Sequence, residues 1–354
     1  MCDIHEREAG SGSGVRTIPV HDAVGMVLAH DITEIKKDEF KGRAFRKGHV
    51  VTQGDIDRLR KLGKDHLFVL TLGDDEMHED DAAYAVASAL MGKGVVIEGE
   101  PKEGKINFIA AMDGIVKINK DALTRFNMAG EVMCATLHNN TVVKKGRVVG
   151  GTRAIPLVIK KRIIDEVTTA AKEAGGILEV KEMRKPKAGV VITGNEVYYG
   201  RIKDAFAPII TKKIEEIGGE ITGIYYAPDN EDFIEARLRD LMEAGADLLI
   251  TTGGMSVDPD DVTRFAVRRL GADFITYGSA VLPGAMFLVA WLGEIPVLGI
   301  PACGMYHRTT VFDLILPRVL AGEKIGRREL AELGHGGMCL NCEVCRYPVC
   351  PFGK

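Results

Sequence analysis

Four cysteines are crowded near the end of the chain in the pattern Cys339-x2-Cys342-x2-Cys345-x4-Cys350, and Pro351 follows directly. The pattern is close to the bacterial ferredoxin run, which has x3 before its last Cys–Pro pair. Four thiolates this close in sequence can surround one metal centre. We therefore expect a [4Fe–4S] cluster, with a structural Zn²⁺ ion as the second choice because zinc also accepts four cysteines. The alternative is four reduced thiols on a flexible tail.

A second polar group occupies residues 251–261, where a buried strand is predicted to end. Two threonines and two glycines at 251–254 offer hydroxyls and unshielded backbone N–H groups, which suit an anionic oxygen such as that of a phosphate. A hard cation such as Mg²⁺ could bridge to that phosphate from the three carboxylates that follow, Asp258, Asp260 and Asp261. The alternative is structural, because these residues also suit a proline turn and a helix cap.

Alternating strands and helices after residue 189 must position this second group. Strands are predicted over residues 189–193, 221–227, 247–252, 274–277, 286–291 and 297–300, and helices over residues 205–217, 231–243, 262–270 and 309–320. Such alternation predicts a parallel sheet that is covered on both faces. Ligands of open α/β sheets bind at the carboxyl ends of the strands. The five loops of interest are therefore residues 193–197, 227–230, 251–261, 281–286 and 299–305.

The front half of the chain is less regular. A short helix is expected over residues 54–62, a strand over 67–72 and an alanine-rich helix that ends near 91, and residues 94–160 alternate apolar and polar residues as strands do. A further helix is predicted over 163–174. The predicted division is a flexible tail (1–14), an αβ region (15–92), a β-rich region (93–185), an α/β domain (186–325) and a Cys-rich, metal-binding tail (326–354).

Composition excludes several classes of protein. The 354 residues carry 46 Lys+Arg against 50 Asp+Glu, for a formal net charge of −4, so a nucleic-acid partner is not expected. The first twenty residues contain no apolar signal-peptide core, and no run of about 18 apolar residues predicts a membrane span. We expect a cytoplasmic protein that forms a homo-oligomer and has no membrane partner.

The order of the five loops resembles the molybdopterin-binding domain of the molybdenum cofactor biosynthesis family. The matching segments are TGNEV, PDN, ADLLITTGGMSV with a later Asp, LPGAM and GIPACGM, and they span residues 186–325. The most similar architecture is that of the molybdopterin molybdenumtransferase. The resemblance extends more weakly to the front half of this chain, through the segments GMVLAHDI and AFRKGHVVTQGDI. The resemblance implies a three-layer α/β fold with molybdopterin as ligand or substrate.

The resemblance also implies roles for individual residues. The first loop would contact the pterin nucleotide, the acidic position after the second strand would join it, and the third loop would hold the phosphate and pterin parts. The last two loops complete the site, so the implied ligand-binding residues are Thr193, Gly194, Glu196, Asp229, Thr252, Gly253, Gly254, Ser256, Pro283, Gly284 and Pro301. Asp261 matches the terminal Asp of the long loop, which implies a role in catalysis or in Mg²⁺ binding.

Departures from the family pattern bear on activity. Ala285 stands where the family has a lysine that would give positive charge to an oxyanion, and Cys303 lies in an altered last loop. We expect a molybdenum cofactor biosynthesis protein that binds molybdopterin or its adenylylated form, with molybdate insertion as its activity. The alternatives are a non-catalytic molybdopterin carrier or sensor with an iron–sulfur tail, and a nucleotide hydrolase of the competence-damage type. Molybdate and a client molybdoenzyme are the further partners expected.

Overall fold

The computed structural model describes residues 14–36, 40–71, 73–255 and 261–354. The strands are β1 (Gly14–Pro19), β2 (Ile32–Lys36), β3 (Phe40–Phe45), β4 (His66–Thr71), β5 (Glu76–His78), β6 (Val95–Lys102), β7 (Lys105–Ala110), β8 (Gly114–Ile118), β9 (Val132–Thr136), β10 (Val142–Val143), β11 (Val148–Ala154), β12 (Val158–Lys160), β13 (Leu178–Lys181), β14 (Lys187–Thr193), β15 (Glu220–Ala227), β16 (Leu248–Thr252), β17 (Phe274–Tyr277), β18 (Leu288–Leu292) and β19 (Ile295–Ile300).

The helices are α1 (Ile56–Lys61), α2 (Glu79–Leu90), α3 (Lys120–Asn127), α4 (Lys161–Glu173), α5 (Asn195–Tyr198), α6 (Phe206–Glu216), α7 (Glu231–Glu243), α8 (Thr263–Arg269), α9 (Val311–Leu320) and α10 (Arg327–Glu332). None of the helices in the described part of the chain combines the length and the apolar character needed to cross a membrane. The chain divides into two compact units. Unit 1 comprises residues 1–112, 117–137 and 145–180, and unit 2 comprises residues 113–116, 138–144 and 181–354.

Unit 1 contains an antiparallel sheet of four strands in the order β6-β7-β11-β9. The strands β1 and β4 pair as a separate antiparallel ribbon, and β2 pairs with β3. A small core of nine buried apolar residues, which includes Leu28, Ile32 and Leu59, packs in the first part of this unit. The β-rich prediction for the middle of the chain missed α3, which Asn119 caps by accepting a hydrogen bond from the backbone N–H of Ala122.

Unit 2 is built on a sheet of six strands in the order β15-β14-β16-β19-β18-β17. Four neighbouring strands, β15, β14, β16 and β19, are parallel to one another, but β18 runs antiparallel to both β17 and β19. The prediction of a parallel sheet is therefore wrong for β18. The physical reason is the connection between β18 and β19. Only Gly293 and Glu294 separate the paired residues Leu292 and Ile295, and a two-residue loop can join antiparallel strands only.

Helices cover both faces of this sheet, as three layers require. Alternate strand residues such as Val190 and Ile250 pack with α6 and α9 in one core, and their neighbours Val191 and Leu249 pack with α7 and α8 in a second core. Side chains of successive strand residues point to opposite faces, which explains why these strands read as continuous apolar runs. The expected three-layer α/β fold is therefore confirmed, with a Cys-rich segment at the end of the chain.

Three predicted features lie outside the described residues: most of the 1–14 tail, Ser256, and the carboxylates Asp258 and Asp260. The fivefold division of the chain stays a prediction.

Candidate functional site

The carboxyl ends of the parallel strands meet at one edge of the unit 2 sheet. Thr193 at the end of β14 lies opposite Ala227 at the end of β15, and Thr252 at the end of β16 lies opposite Ile300 at the end of β19. The loops that follow these strands are therefore neighbours. We call this edge, with its loops, the sheet-edge site.

Threonine hydroxyls tie the first and third loops together. The hydroxyl of Thr193 donates to the carbonyl of Thr252 over 2.8 Å, and the hydroxyl of Thr263 donates to the carbonyl of Gly253 over 3.1 Å. The two hydroxyl oxygens are 3.2 Å apart. Thr263 is fully buried at the start of α8. The sequence offered no reason to select it, because its partners lie 10 and 70 residues earlier in the chain.

Gly253 and Gly254 are needed for this close packing. Both have left-handed backbone conformations, with φ values of 78° and 59°. A Cβ at Gly253 would lie 2.5 Å from the carbonyl oxygen of Thr193, and a Cβ at Gly254 would lie 2.3 Å from the hydroxyl oxygen of Thr263. Real Cβ atoms do not approach this closely, so the glycines serve the fit between the loops as well as any ligand.

Two threonine hydroxyls in β16 have no partner in the described structure. Thr251 and Thr252 are both fully buried, and the side-chain oxygen of each lacks a hydrogen bond. They are consecutive strand residues, so they point to opposite faces of the sheet. A buried polar atom without a partner costs about 1–3 kcal/mol, which makes each hydroxyl a candidate for contact with something else. Thr252 is the one at the strand end.

The first and second loops are also joined. The backbone N–H of Asn195 donates to the Asp229 carboxylate over 2.9 Å, and the backbone N–H of Asp229 donates to the Asn195 side chain over 3.3 Å. Gly194 has φ 138°, and a Cβ there would lie 2.8 Å from a carboxylate oxygen of the exposed Glu196. The structure thus brings Thr193, Gly194, Glu196 and Asp229 to one place, and it assigns Asp229 a loop-bracing contact.

The two remaining loops are held in place by backbone contacts. Gly284, at φ 127°, leaves no room for a Cβ, which would lie 2.4 Å from a methyl carbon of Val311 at the start of α9. The carbonyl of Pro283 accepts from the backbone N–H of Val311 over 3.3 Å. Pro301 opens a single 3₁₀ turn, where its carbonyl accepts from the N–H of Gly304 over 2.9 Å.

Arg264 and Tyr277 lie beside the third loop and were not selected from the sequence. The Tyr277 hydroxyl donates to the carbonyl of Met255, and the Arg264 guanidinium lies 5.4 Å from the centre of the Tyr277 ring. Burial raises the pKa of Tyr277, and the nearby Asp261 carboxylate raises it further. The side-chain Nε of Arg264 is buried without a partner among the described residues. The sequence signal that could have identified Arg264 is its place in the first turn of α8, the helix that follows the glycine-rich loop.

The four tail cysteines are brought together at a second place in unit 2. All four line one cavity of about 530 Å³, which is also lined by Tyr306, His307, Arg308 and Thr309. We call it the tail cavity. The hydroxyl of Thr309 lies 3.5 Å from Cys345 Sγ, and this hydrogen bond lowers the pKa of the Cys345 thiol. Cys303 does not line the cavity; it is half-buried, and burial raises the pKa of its thiol.

A sheet whose parallel strands end together at one edge, with helices on both faces, defines an α/β domain of the doubly wound class. Comparison with known families is more specific. Residues 189–321 match the family model described as a probable molybdopterin binding domain. The resemblance predicted from the loop sequences is thus confirmed for this part of the chain. Residues 17–71 match a second model, described as a domain of unknown function (DUF8806).

Curated relatives match over a shorter stretch. A CinA-like protein of Mycobacterium avium (strain 104) is 41% identical over 92 residues, which are 25% of this chain and 21% of that protein. A CinA-like protein of Mycolicibacterium gilvum (strain PYR-GCK) is 40% identical over 92 residues, or 25% and 22% of the two chains. The chain therefore spans about a fifth of the length of these relatives.

The solved structures that match are more distant in sequence. The molybdopterin biosynthesis enzyme MoaB from Thermus thermophilus is 21% identical, with a TM-score of 0.34, over 39% of this chain and 98% of that one. The molybdopterin biosynthesis MoeA protein from Pyrococcus horikosii is 18% identical, with a TM-score of 0.32, over 90% of this chain and 76% of that one. Likenesses of this size transfer no role to any residue.

Proposed function

We propose that this chain binds a molybdopterin nucleotide at the sheet-edge site and acts on it in molybdenum cofactor biosynthesis. The observation that carries the proposal is the left-handed Gly253–Gly254 turn, which follows the buried, unpartnered hydroxyl of Thr252 within the segment that matches a molybdopterin-binding family. A phosphate or pterin oxygen at this edge would give that hydroxyl its missing hydrogen bond.

One cation beside the third loop suits an anionic ligand. Arg264 lies against the ring of Tyr277, whose hydroxyl contacts Met255, and its buried Nε has no hydrogen-bond partner among the described residues, so its guanidinium could donate to a ligand oxygen. We assign to Arg264 part of the role of the family lysine that Ala285 replaces. The ligand itself would supply the redox chemistry of its dithiolene, and the protein would hold and orient it.

Asp261 is the proposed Mg²⁺ ligand and catalytic residue. Its carboxylate lies near Tyr277, at the end of the third loop and before α8, and hard oxygen donors are what Mg²⁺ prefers. When bound, Mg²⁺ would neutralise phosphate charge there. Asp261→Asn should then lower Mg²⁺-dependent turnover of the adenylylated ligand, while Asp273→Asn, which changes a carboxylate just before β17, should not.

Binding is tested by calorimetric titration with adenylyl-molybdopterin under anaerobic conditions. The chain offers a matched pair of variants, Thr252→Val and Thr251→Val, since both residues are buried in β16 and both hydroxyls lack partners. We expect Thr252→Val to weaken binding about 10- to 100-fold, which is the worth of a hydrogen bond to a charged group. Thr251→Val should leave the affinity unchanged. Equal losses in both variants, or no saturable binding by the parent, would overturn the proposal.

A second candidate is hydrolysis of a nucleotide, as in the competence-damage type. The 40–41% identity to CinA-like proteins favours it. Release of AMP from adenylyl-molybdopterin distinguishes the candidates. Release without molybdate indicates the hydrolase, release only with molybdate indicates the molybdenumtransferase, and tight binding without release indicates a carrier or sensor. Partnership with molybdate and a client molybdoenzyme, and a homo-oligomeric state, remain predictions.

A further inference from the structure

We propose that the tail cavity holds a [4Fe–4S] cluster on Cys339, Cys342, Cys345 and Cys350. No part of this proposal depends on molybdopterin, so the cluster proposal and the proposed function can be tested independently of each other. The first support is the donor set: four free thiols from one short segment line a single cavity.

The position of the fourth cysteine is informative. In the bacterial ferredoxin run the last cysteine binds a different cluster from the first three. Here the chain turns back after Cys345, where the backbone N–H of Val349 donates to the carbonyl of Arg346 over 2.8 Å. The extra residue in the x4 spacing belongs to this turn, and Cys350 comes to line the same cavity as the other three. All four thiols are therefore available to one centre.

The cavity has room for a cluster. Its volume of about 530 Å³ is within the range of small-ligand pockets. Apolar side chains also line the cavity although they are strongly exposed: Leu340 is 68% and Val344 67% accessible. A bound cluster would cover these side chains, and they in turn would keep water away from its sulfur atoms.

The surrounding charges fit an anionic centre. The four thiolates carry more negative charge than the iron–sulfide core of such a cluster carries positive charge, so nearby cations stabilise it. Arg308 and Arg346 both line the cavity, and the carboxylates that oppose them include Glu343 in the lining and Asp313, whose charge acts on Cys345. Thr309 adds a hydroxyl beside Cys345 Sγ. Hydrogen bonds and charges of this kind are the means by which proteins tune iron–sulfur centres.

The segment that carries the cysteines is anchored at its start and at its end. The backbone N–H of Gly353 donates to the carbonyl of Gly336 over 2.9 Å, and Phe352 is buried in the unit 2 core. The segment also pairs with the fourth loop of the sheet-edge site. Leu282 donates its N–H to the carbonyl of Gly337 and accepts from the N–H of Cys339, both over 2.8 Å. The first cysteine is thus one hydrogen bond from a candidate ligand-binding loop.

The test is reconstitution of the full chain with equal amounts of ferrous and ferric iron and with sulfide in the absence of oxygen. Each thiol releases its proton to solvent as its sulfur binds iron, and the added salts supply two ferrous ions, two ferric ions and four sulfides per cluster, so assembly needs no further oxidant. We expect about four irons and four sulfides per chain, with a broad absorption band near ~400 nm. A matched control is Cys303→Ser, which removes a half-buried thiol outside the cavity and should keep the iron.

Ligand variants complete the test. Cys342→Ser is the sharpest of them, because Cys342 is exposed and its loss opens no cavity in the core. We expect its iron content to fall by at least half, with an unchanged far-ultraviolet circular dichroism spectrum that shows a folded chain. One zinc per chain and no iron, no metal at all, or equal iron in Cys342→Ser and Cys303→Ser would each overturn the proposal.

Discussion

The sheet-edge site and the tail cavity are built in opposite ways. The sheet-edge site follows strands whose residues are buried, and the Thr193–Thr263 hydroxyls join its loops. The tail cavity is lined by residues 306–309 and by residues of the segment 339–352, and that described segment contains neither helix nor strand. The first site is formed by the fold alone. The second holds its cysteines on irregular backbone, so the metal would itself supply much of the rigidity, as in small metal-stabilised domains.

Metal removal should separate the two sites most clearly. In reconstituted protein treated with a chelator, we expect amide hydrogen exchange to speed up at least about tenfold over residues 338–350, because metal binding and local folding are coupled there. Amides of β14 and β16 should keep their protection. Hydrogen exchange read by mass spectrometry measures both regions at once. Equal effects in the strands and the tail would show that the contrast is mistaken.

The rigidity of the sheet-edge site can be broken at one glycine. Gly254→Ala places a Cβ 2.3 Å from the Thr263 hydroxyl on left-handed backbone, so we expect it to lower the free energy of unfolding by about 2–4 kcal/mol. Gly271→Ala is the matched control, since Gly271 also has a positive φ but has open space around it. It should cost only about 1 kcal/mol. If urea unfolding shows similar losses of unfolding free energy in both variants, the loop accommodates the extra Cβ and the assigned rigidity is wrong.

Unit 1 contains a buried carboxyl group, that of Glu79, whose titration should make the stability of this unit depend on pH. Burial, with the neighbouring Asp80, raises the pKa of Glu79 to about 7. The folded state therefore holds a proton that the unfolded state releases above pH 4.5, so stability should fall as the pH rises from 4.5 to 7 and then level off. Glu79→Gln should remove this slope, and Glu98→Gln, at an exposed strand position, should keep it. Amide hydrogen exchange of α2 as a function of pH measures this stability. If Glu79→Gln kept the pH dependence of stability, Glu79 would not be its source.

The smallest expected effect concerns the fourth loop. Ala285 is exposed beside Gly284, so Ala285→Lys can add a charge without repacking. If the missing lysine limits molybdate handling, the substitution should raise molybdate-dependent AMP release about tenfold, less than the roughly 100- to 1000-fold effect of one preorganised oxyanion donor, because an introduced lysine on an exposed loop is not preorganised. Ala285→Gln, of similar length and no charge, is the matched control and should leave the rate near that of the parent. Parent activity that is already high would contradict the premise.

Much of the fold follows from local sequence, because buried strands and amphipathic helices have distinct periods. Helix α7 begins and ends at the predicted residues, and its cap Asn230 is visible in the sequence. The strand β18 was predicted, but its antiparallel direction was not, because that direction follows from the two-residue connection at Gly293 and Glu294 and not from the α/β alternation. The helix α3 was missed because its apolar residues are few.

The sites were less predictable, and for a physical reason. The glycines and threonines of the third loop stand next to each other in sequence, so their type and spacing were informative. Thr263, Arg264 and Tyr277 depend on contacts between elements that only the folded chain brings together. The same holds for the tail cavity, where the cysteine spacing was visible but the wall at residues 306–309 was not.

The hydrogen bond between Gly353 and Gly336 gives the cysteine-bearing segment the form of an Ω-loop, whose ends are close while its interior is irregular. Bringing the ends of a flexible loop of this length together costs about 2–3 kcal/mol of chain entropy. In this protein the buried Phe352 and the Gly336 contact meet that cost when unit 2 folds. A metal centre that binds later would encounter thiols at a raised local concentration. Variants that detach Phe352 should therefore weaken metal retention without touching any cysteine.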